Sequence, residues 1–452
     1  MQVKQTDFSK GSVYKNILDV AVPMTAAQIL NLLYNVVDRM YIGRIEGHGT
    51  MALTGVGLCF PIITLISAFT LLFGNGGGPL CAIERGRGNQ KEAEALMGNT
   101  FSMLLITGAI LTVFCLVFYR PILFAFGASR ETIPYAGTYI RIYLIGTVFV
   151  MIALGMNPFV NSQGFGQVGM LTVLIGAVLN IILDPIFIFA LDMDVAGAAV
   201  ATILSQMVSA VWVLKFLTGR KTSLRLRPEA MRIEWSRIGR IVSMGFSGFV
   251  MAFTNGLVQI ACNATLKTSG GDIYVGIMTV LNSVREIFHM PVSGLTNGAS
   301  PVMGYNYGER AYKRVKQAIA FVSVIGIAYT LLAWAVLRIW PEPFIRIFNG
   351  EGDMLELGIP AMHIYFFGFF FMALQFCGQC TFVALGKAKH ATFFSIFRKV
   401  IIVVPLTLLL PRMGLGVNGV FWAEPISNLI GGCACYITML LTVLPELREE
   451  KK

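Results

Sequence analysis

Apolar residues fill this chain in long blocks parted by short polar stretches. The blocks recur from Ile17 to Leu441, which reads as a chain that crosses a membrane many times. The pattern predicts twelve helices, at about residues 17–43, 51–80, 93–118, 133–160, 166–190, 193–217, 238–266, 272–303, 313–338, 355–384, 391–410 and 415–443. Most exceed the roughly 20 residues a bilayer requires, so tilt or protrusion is expected. The stretch from Thr218 to Arg240 is polar and basic, with Pro228 in its middle. It reads as a linker (218–237) between a first lobe (1–217) and a second (238–452). The expected class is an all-α membrane protein, with twelve transmembrane helices in two pseudo-symmetric six-helix lobes.

The lobes repeat one another at a fixed shift of 222 residues. Asn75-Gly76-x-x-Pro79 answers to Asn297-Gly298-x-x-Pro301, and Tyr143-x-x-Gly146 to Tyr365-x-x-Gly368. Gly86, Lys91, Gly164 and Gly197 answer to Gly308, Lys313, Gly386 and Gly419. Each copy holds an even number of helices, so the two lie parallel about an axis along the membrane normal. Interfaces between such repeats hold transport sites.

Only 13% of the residues are charged and 56% are hydrophobic, against about 25% charged in a soluble domain. The net charge of +11 reads as topology. One set of loops holds Lys4, Lys10, Lys15, Arg85, Arg87, Lys91, Lys215 to Arg240, Arg310, Lys313, Arg314, Lys316, Lys387, Lys389, Arg398, Lys399, Lys451 and Lys452. The other holds Asp192, Asp194, Asp272, Glu351, Asp353 and Glu356. Lys/Arg excess marks the cytoplasmic side, so both termini are expected there and the number of spans is even. No aromatic-interleaved basic patch exists, so no nucleic-acid partner is expected. The polar start MQVKQTDFSKGSVYKN predicts no cleavable signal peptide. Most of the eight Cys fall in apolar runs, and Cys377-x-x-Cys380 has no second pair or His cluster to complete a metal site.

Polar residues interrupt the first helix. Gln28, Asn31, Asn35 and Asp38 fall within an arc of about 80° and predict a face turned to a cavity or another helix. Pro23 kinks the same helix, as a static bend or a hinge, and Gly74 to Pro79 end the second. In the fifth helix Asn180 and Asp184 are stacked at i, i+4. A carboxylate at mid-membrane costs about 2.5–3.5 kcal/mol, so two in one lobe require a reason. Asp38 paired with Arg39 is one; binding of a coupling cation by Asp38 and Asp184 is the other. Asn180, Thr202 and Tyr139 add oxygens suited to Na⁺. Two close carboxyl groups equally suit H⁺, by sharing one proton.

The second lobe departs from this pattern. The repeat partners of Asp184 and Asp38 are Leu406 and Ile260. Its seventh helix carries Asn255, Gln259 and Asn263, polar but uncharged. Arg285, Glu286 and His289 fall in the eighth helix, Arg398 in the eleventh, and Glu424 in the twelfth at the repeat position of Thr202. A Glu286–Arg398 or Glu424–Arg398 pair would neutralise them. Phe366 to Met372, then Gln375 and Gln379, mark the tenth helix. Met24, Met251, Met278 and Met372 complete the candidates for an adaptable cavity lining.

Four segments carry a family resemblance. Tyr34-Asn35-Val36-Val37-Asp38-Arg39-Met40-Tyr41-Ile42-Gly43 resembles the first-helix signature of the MATE family, the multidrug and toxic compound extrusion transporters. Asn161-Ser162-Gln163-Gly164-Phe165-Gly166-Gln167, the run Val195 to Gln206, and Asn297-Gly298-x-x-Pro301 with Gly304-Tyr305-Asn306-Tyr307-Gly308 resemble its later motifs, in order. The resemblance implies a two-lobe antiporter expelling cationic, amphipathic compounds against inward H⁺ or Na⁺. It implies cation ligands at Asp38, Asn180, Asp184 and Thr202, with Tyr139 and Asn157 beside them. Met24, Gln28, Asn31, Asn35, Asn255, Gln259, Gln375 and Gln379 are the expected substrate-cavity residues. No cofactor beyond the coupling ion is expected. The chain is expected to act as a monomer in a cell membrane, the bacterial inner membrane.

Three other readings compete. A lipid-linked substrate flippase of the same superfamily requires a more basic cavity than loop-borne Arg residues provide. An intramembrane enzyme lacks an HExxH or G-x-S-x-G motif here, and His48, His289, His363 and His390 are scattered. A channel lacks a ring of identical filter residues.

Overall fold

A computed structural model describes residues 5–47, 49–347 and 352–448. Lys4, His48, Glu351, Lys451 and Lys452, named above, lie outside them. The first lobe comprises α1 (Val13–Gly43), α2 (Gly49–Leu58), α3 (Phe60–Gly86), α4 (Gln90–Ala125), α5 (Ile133–Ile145), α6 (Thr147–Gly155), α7 (Asn157–Ser162), α8 (Gly166–Pro185) and α9 (Asp194–Thr218). The second comprises α10 (Trp235–Gly270), α11 (Asp272–Gly308), α12 (Tyr312–Ile339), α13 (Pro341–Arg346), α14 (Asp353–Tyr365), α15 (Phe371–Ala384), α16 (Ala388–Ile396), α17 (Val404–Leu409) and α18 (Gly416–Glu446). Together they make twelve spans, several of them broken.

Each break has a local cause. The span 133–162 bends by 58° between α5 and α6, at Gly146. Its repeat partner Gly368 sits at φ +66°, a left-handed conformation open to glycine, between α14 and α15. The span expected at 355–384 is thus two helices. The second expected helix was to end at Gly74–Pro79; instead α3 runs through Pro79 to Gly86. Pro23 does not break α1 either, and the hydroxyl of Thr25 bonds the Ala21 carbonyl beside it at 2.8 Å. Wider π-helical turns follow Asp184 at Ile186–Ala190 and lie mid-span at Phe397–Val403.

The two lobes lock together at one end, where the greater share of Lys and Arg lies. There the core of the first lobe includes Ile241 and Met244 of α10. The second lobe's core in turn takes in Val13, Ile17, Val20 and Ala21 of α1. Glycines let the backbones touch. A Cβ at Gly86 would overlap the Tyr305 carbonyl, and one at Gly308 would overlap the Ile83 carbonyl. These are the same contact made twice, since 83 and 305, like 86 and 308, are repeat partners. Gly76 against Ile241 and Gly298 against Ala21 bring α10 onto α3 and α1 onto α11 in the same way. Arg240 bridges Glu84 at 3.1 Å and Arg237 bridges Glu92 at 2.8 Å across this seam.

The linker is pinned to the first lobe. Gln163 Oε1 accepts from the Thr222 hydroxyl (2.6 Å) and the Leu224 N–H (2.8 Å), and Asn99 Oδ1 accepts from the Glu234 N–H (2.8 Å). Towards the other end the outer halves of α1 and α10 are exposed, at Ile29, Leu33 and Val36 and at Phe253, Leu257 and Ile260.

Candidate functional site

A cavity of about 500 Å³ lies between the lobes. Met24 and Gln28 of α1 and Asn75 of α3 form one wall; Met251 and Asn255 of α10, His289 and Asn297 of α11, and Phe376 and Gln379 of α15 form the other. Gln28 Nε2 reaches the Ser293 hydroxyl across it at 3.4 Å. Its apolar lining of Met and Phe adapts to varied ligands, while the amides fix orientation.

Four of the expected cavity residues therefore line it: Met24, Gln28, Asn255 and Gln379. Four do not. Asn31 and Asn35 are exposed, and the Asn35 amide donates to the Asn31 carbonyl at 2.7 Å. Gln259 is exposed one turn beyond Asn255. Gln375 is buried inside the second lobe, donating to Gln379 Oε1 at 3.1 Å. The polar arc on α1 is thus divided: Gln28 meets the second lobe, Asp38 meets α8, and the two Asn between them point elsewhere. Asn75 and Asn297 were passed over as lining residues. Their signal was present, a polar residue in an apolar helix recurring at the 222-residue shift.

The first lobe holds an acidic chamber near the end away from the basic seam. Asp38 of α1 and Asp184 of α8 are buried with their carboxyl groups within hydrogen-bonding reach of one another. Asn180 Nδ2 donates to Asp184 Oδ1 at 3.0 Å and reaches Thr202 Oγ1 at 3.4 Å, while the Thr202 hydroxyl donates to the Ala198 carbonyl at 3.0 Å. Tyr139 stands close enough to feel the Asp38 charge, and so does Tyr34, which sequence reasoning had not singled out. Asp38 Oδ1, Asn180 Oδ1 and Asp184 Oδ2 are buried without a hydrogen-bond partner. Asn157 is not part of the chamber. Its amide donates to the Gly169 carbonyl at 3.1 Å, about 16 Å along α8 from Asn180.

The second lobe holds a chamber of opposite sign. Glu424 Oε1 accepts from Arg398 (2.6 Å), Lys399 (3.3 Å) and Arg285 (3.5 Å). Glu286 pairs with Arg285 at 3.4 Å and not with Arg398. Arg398 and Lys399 were counted with the basic loops as well as inside the eleventh expected helix, and the helix is where they lie. The π-helical turn Phe397–Val403 carries both, buried, towards α18. There Gly431 leaves room for the Arg398 stem, since a Cβ at that position would stand 3.2 Å from it.

This two-lobed arrangement of broken spans around a central cavity defines a polytopic membrane transporter. The MatE family profile matches twice, over residues 23–186 and 247–409, and the chain belongs to that family. Among relatives it is similar to the multidrug export protein MepA of Staphylococcus haemolyticus (25% identity over 94% of this chain and 92% of the relative). It is likewise similar to MepA of Staphylococcus aureus strain MSSA476 (25% over 96% and 94%). Its fold matches the outward-facing conformation of a multidrug resistance MATE family transporter of the MOP superfamily, with a TM-score of 0.91 at 22% identity, covering 99% and 100% of the two chains. It also matches a MOP superfamily transporter from Pyrococcus furiosus described by the reverse polarity of its binding pocket (TM-score 0.90, 22%, 97% and 98%).

Proposed function

We propose that this chain is a secondary antiporter that exports small cationic or amphipathic compounds, driven by inward movement of H⁺ or Na⁺. Family membership and the similarity to multidrug export proteins support the cargo class. One observation supports the coupling: three buried oxygens, on Asp38, Asn180 and Asp184, are unpartnered in one chamber. Two carboxyl groups in contact repel when both are ionised, and a shared proton or a cation between them removes that repulsion. Asp38, Asn180, Asp184 and Thr202 would hold Na⁺ through oxygen alone, as a hard cation prefers.

The ion does work only if it binds one conformation better than the other. Filling the chamber draws α1 onto α8 and reshapes the first-lobe wall of the cavity at Gln28 and Met24, with Pro23 as the bend. Cargo is then expelled towards the open end. The membrane potential contributes about 2.3 kcal/mol per charge per 100 mV. The basic end is cytoplasmic on this reading, with both termini there and the protein acting as a monomer in a bacterial cell membrane.

The test is dye efflux from proteoliposomes with pH and sodium gradients imposed separately. Asp38→Asn is expected to abolish efflux while retaining the wild-type melting profile. Full efflux by a folded Asp38→Asn protein would overturn the coupling assignment.

A further inference from the structure

The buried charges of the second lobe do not balance, and nothing in the proposed coupling uses them. Arg398 and Lys399 are each 6% exposed in their side chains and Arg285 20%, yet the buried acid facing all three is Glu424 alone. The other nearby carboxylate, Glu286, is 56% exposed, stands 3.4 Å from Arg285 and lines the space these cations share, so three cations face two acids. A buried cation without its full share of negative charge is costly. Two nitrogens also lack a hydrogen-bond partner: Arg398 Nε and His289 Nε2 are buried without one, and both residues line the same space. That space is about 50 Å³, and its walls at Met251, Asn255, His289 and Phe376 are shared with the central cavity.

We propose that this chamber is a receptor for a carboxylate carried by an amphiphilic solute, whose apolar body occupies the central cavity; the inference rests on the export reading above. The volume suits a small head group, since a cavity of only about 10–15 Å³ already holds one water. Guanidinium groups match a planar carboxylate through two parallel hydrogen bonds, and both Arg285 and Arg398 line the space. Glu424 is the internal competitor for the same cations. The site is also the counterpart of the first-lobe chamber, because 424 is the repeat position of 202. The cargo path thus runs between an acidic chamber and a basic one, an arrangement that favours solutes bearing a carboxylate, zwitterions among them.

The probes are a dansylated amino acid with a free carboxylate and its methyl ester, bound to the full chain in phosphatidylcholine vesicles and followed by dansyl fluorescence. The acid is expected to bind at least about tenfold tighter than the ester. Arg398→Gln reduces that preference to below about threefold, whereas Glu424→Gln, which removes the competing anion, raises it. A merely structural role for the cluster makes both variants lose affinity alike, and Lys399→Gln repeats the Arg398 test should Arg398→Gln not fold. Equal wild-type affinity for acid and ester overturns the proposal. So does loss of the preference when phosphatidylglycerol is added, which assigns the chamber to a lipid phosphate. Ethidium efflux by the wild-type chain in the same vesicles tests the export reading separately. Efflux without an acid preference sinks the chamber, and an acid preference without efflux sinks the export reading alone.

Discussion

Replacing Gly308 with Ala should pry open the basic end without unfolding either lobe. A Cβ at Gly308 would overlap the Ile83 carbonyl oxygen and stand 3.0 Å from its carbon and 3.1 Å from the Arg87 nitrogen. All three atoms are backbone, so no side chain can swing aside, and ordinary Cβ contact begins at 3.4 Å. Overpacking of this kind costs about 1–3 kcal/mol. The cost falls on the state in which α3 and α11 touch, because a state with these helix ends parted has no such contact. At 1.4 kcal/mol per factor of ten, the ratio of closed to open basic ends falls by about 5- to 150-fold. Spin labels at the exposed repeat partners Lys91 and Lys313 report that distance directly. Among the described residues no native Cys is exposed, so introduced thiols label first. The expected result is a new, longer-distance population in Gly308→Ala and, by reciprocity, in Gly86→Ala. Gly239→Ala, where a Cβ meets nothing within 4 Å, serves as the control. An unchanged distribution in both interface variants would refute the argument that glycine contacts define the closed state.

Further outcomes follow from other contacts. Asn99→Leu strands the Glu234 N–H and the Ala230 and Arg232 carbonyls, at a cost of about 1–3 kcal/mol, and should speed tryptic cleavage of the linker at Arg225 and Arg232 while leaving other sites unchanged. Glu92→Gln weakens the Arg237 and Arg240 bridges; these are partly exposed, so the seam loosens by less than about 1 kcal/mol, and 1 M salt should erase the difference in the same spin-label assay. Gly368→Ala forces a side chain into φ +66° between α14 and α15 and should lower thermal stability by about 1–2 kcal/mol.

The lobes, the repeat and the acidic chamber were legible because each is a local signal: apolar block length, a constant shift, and an Asn and an Asp stacked at i, i+4 on an apolar helix. Asp38 was harder, since only its burial against α8 separates it from Asn35, which shares its arc but is exposed. The basic chamber was half legible. Arg398 and Lys399 fall inside the eleventh expected helix but follow Lys387 and Lys389 closely enough to be counted with the basic loops too, and the wider turn at Phe397–Val403 reveals their depth. Asn157, which the family resemblance put beside the ligands, instead bonds Gly169 at the far end of α8. Gly86 and Gly308 were visible as repeat markers; that they face each other's backbones required the packing of α3 on α11.

The reciprocity of the Gly86–Tyr305 and Gly308–Ile83 contacts carries an evolutionary consequence. A half-length ancestor with that surface would meet a second copy of itself through the same pair of touches, as a symmetric dimer. In such a dimer any new charge arises twice, so an acidic pocket in one subunit forces an acidic pocket in the other. A single chain whose halves are joined through residues 219–234 is free of that constraint. Position 202 is a threonine while 424 is a glutamate ringed by cations, so one molecule presents two polarities along a single passage.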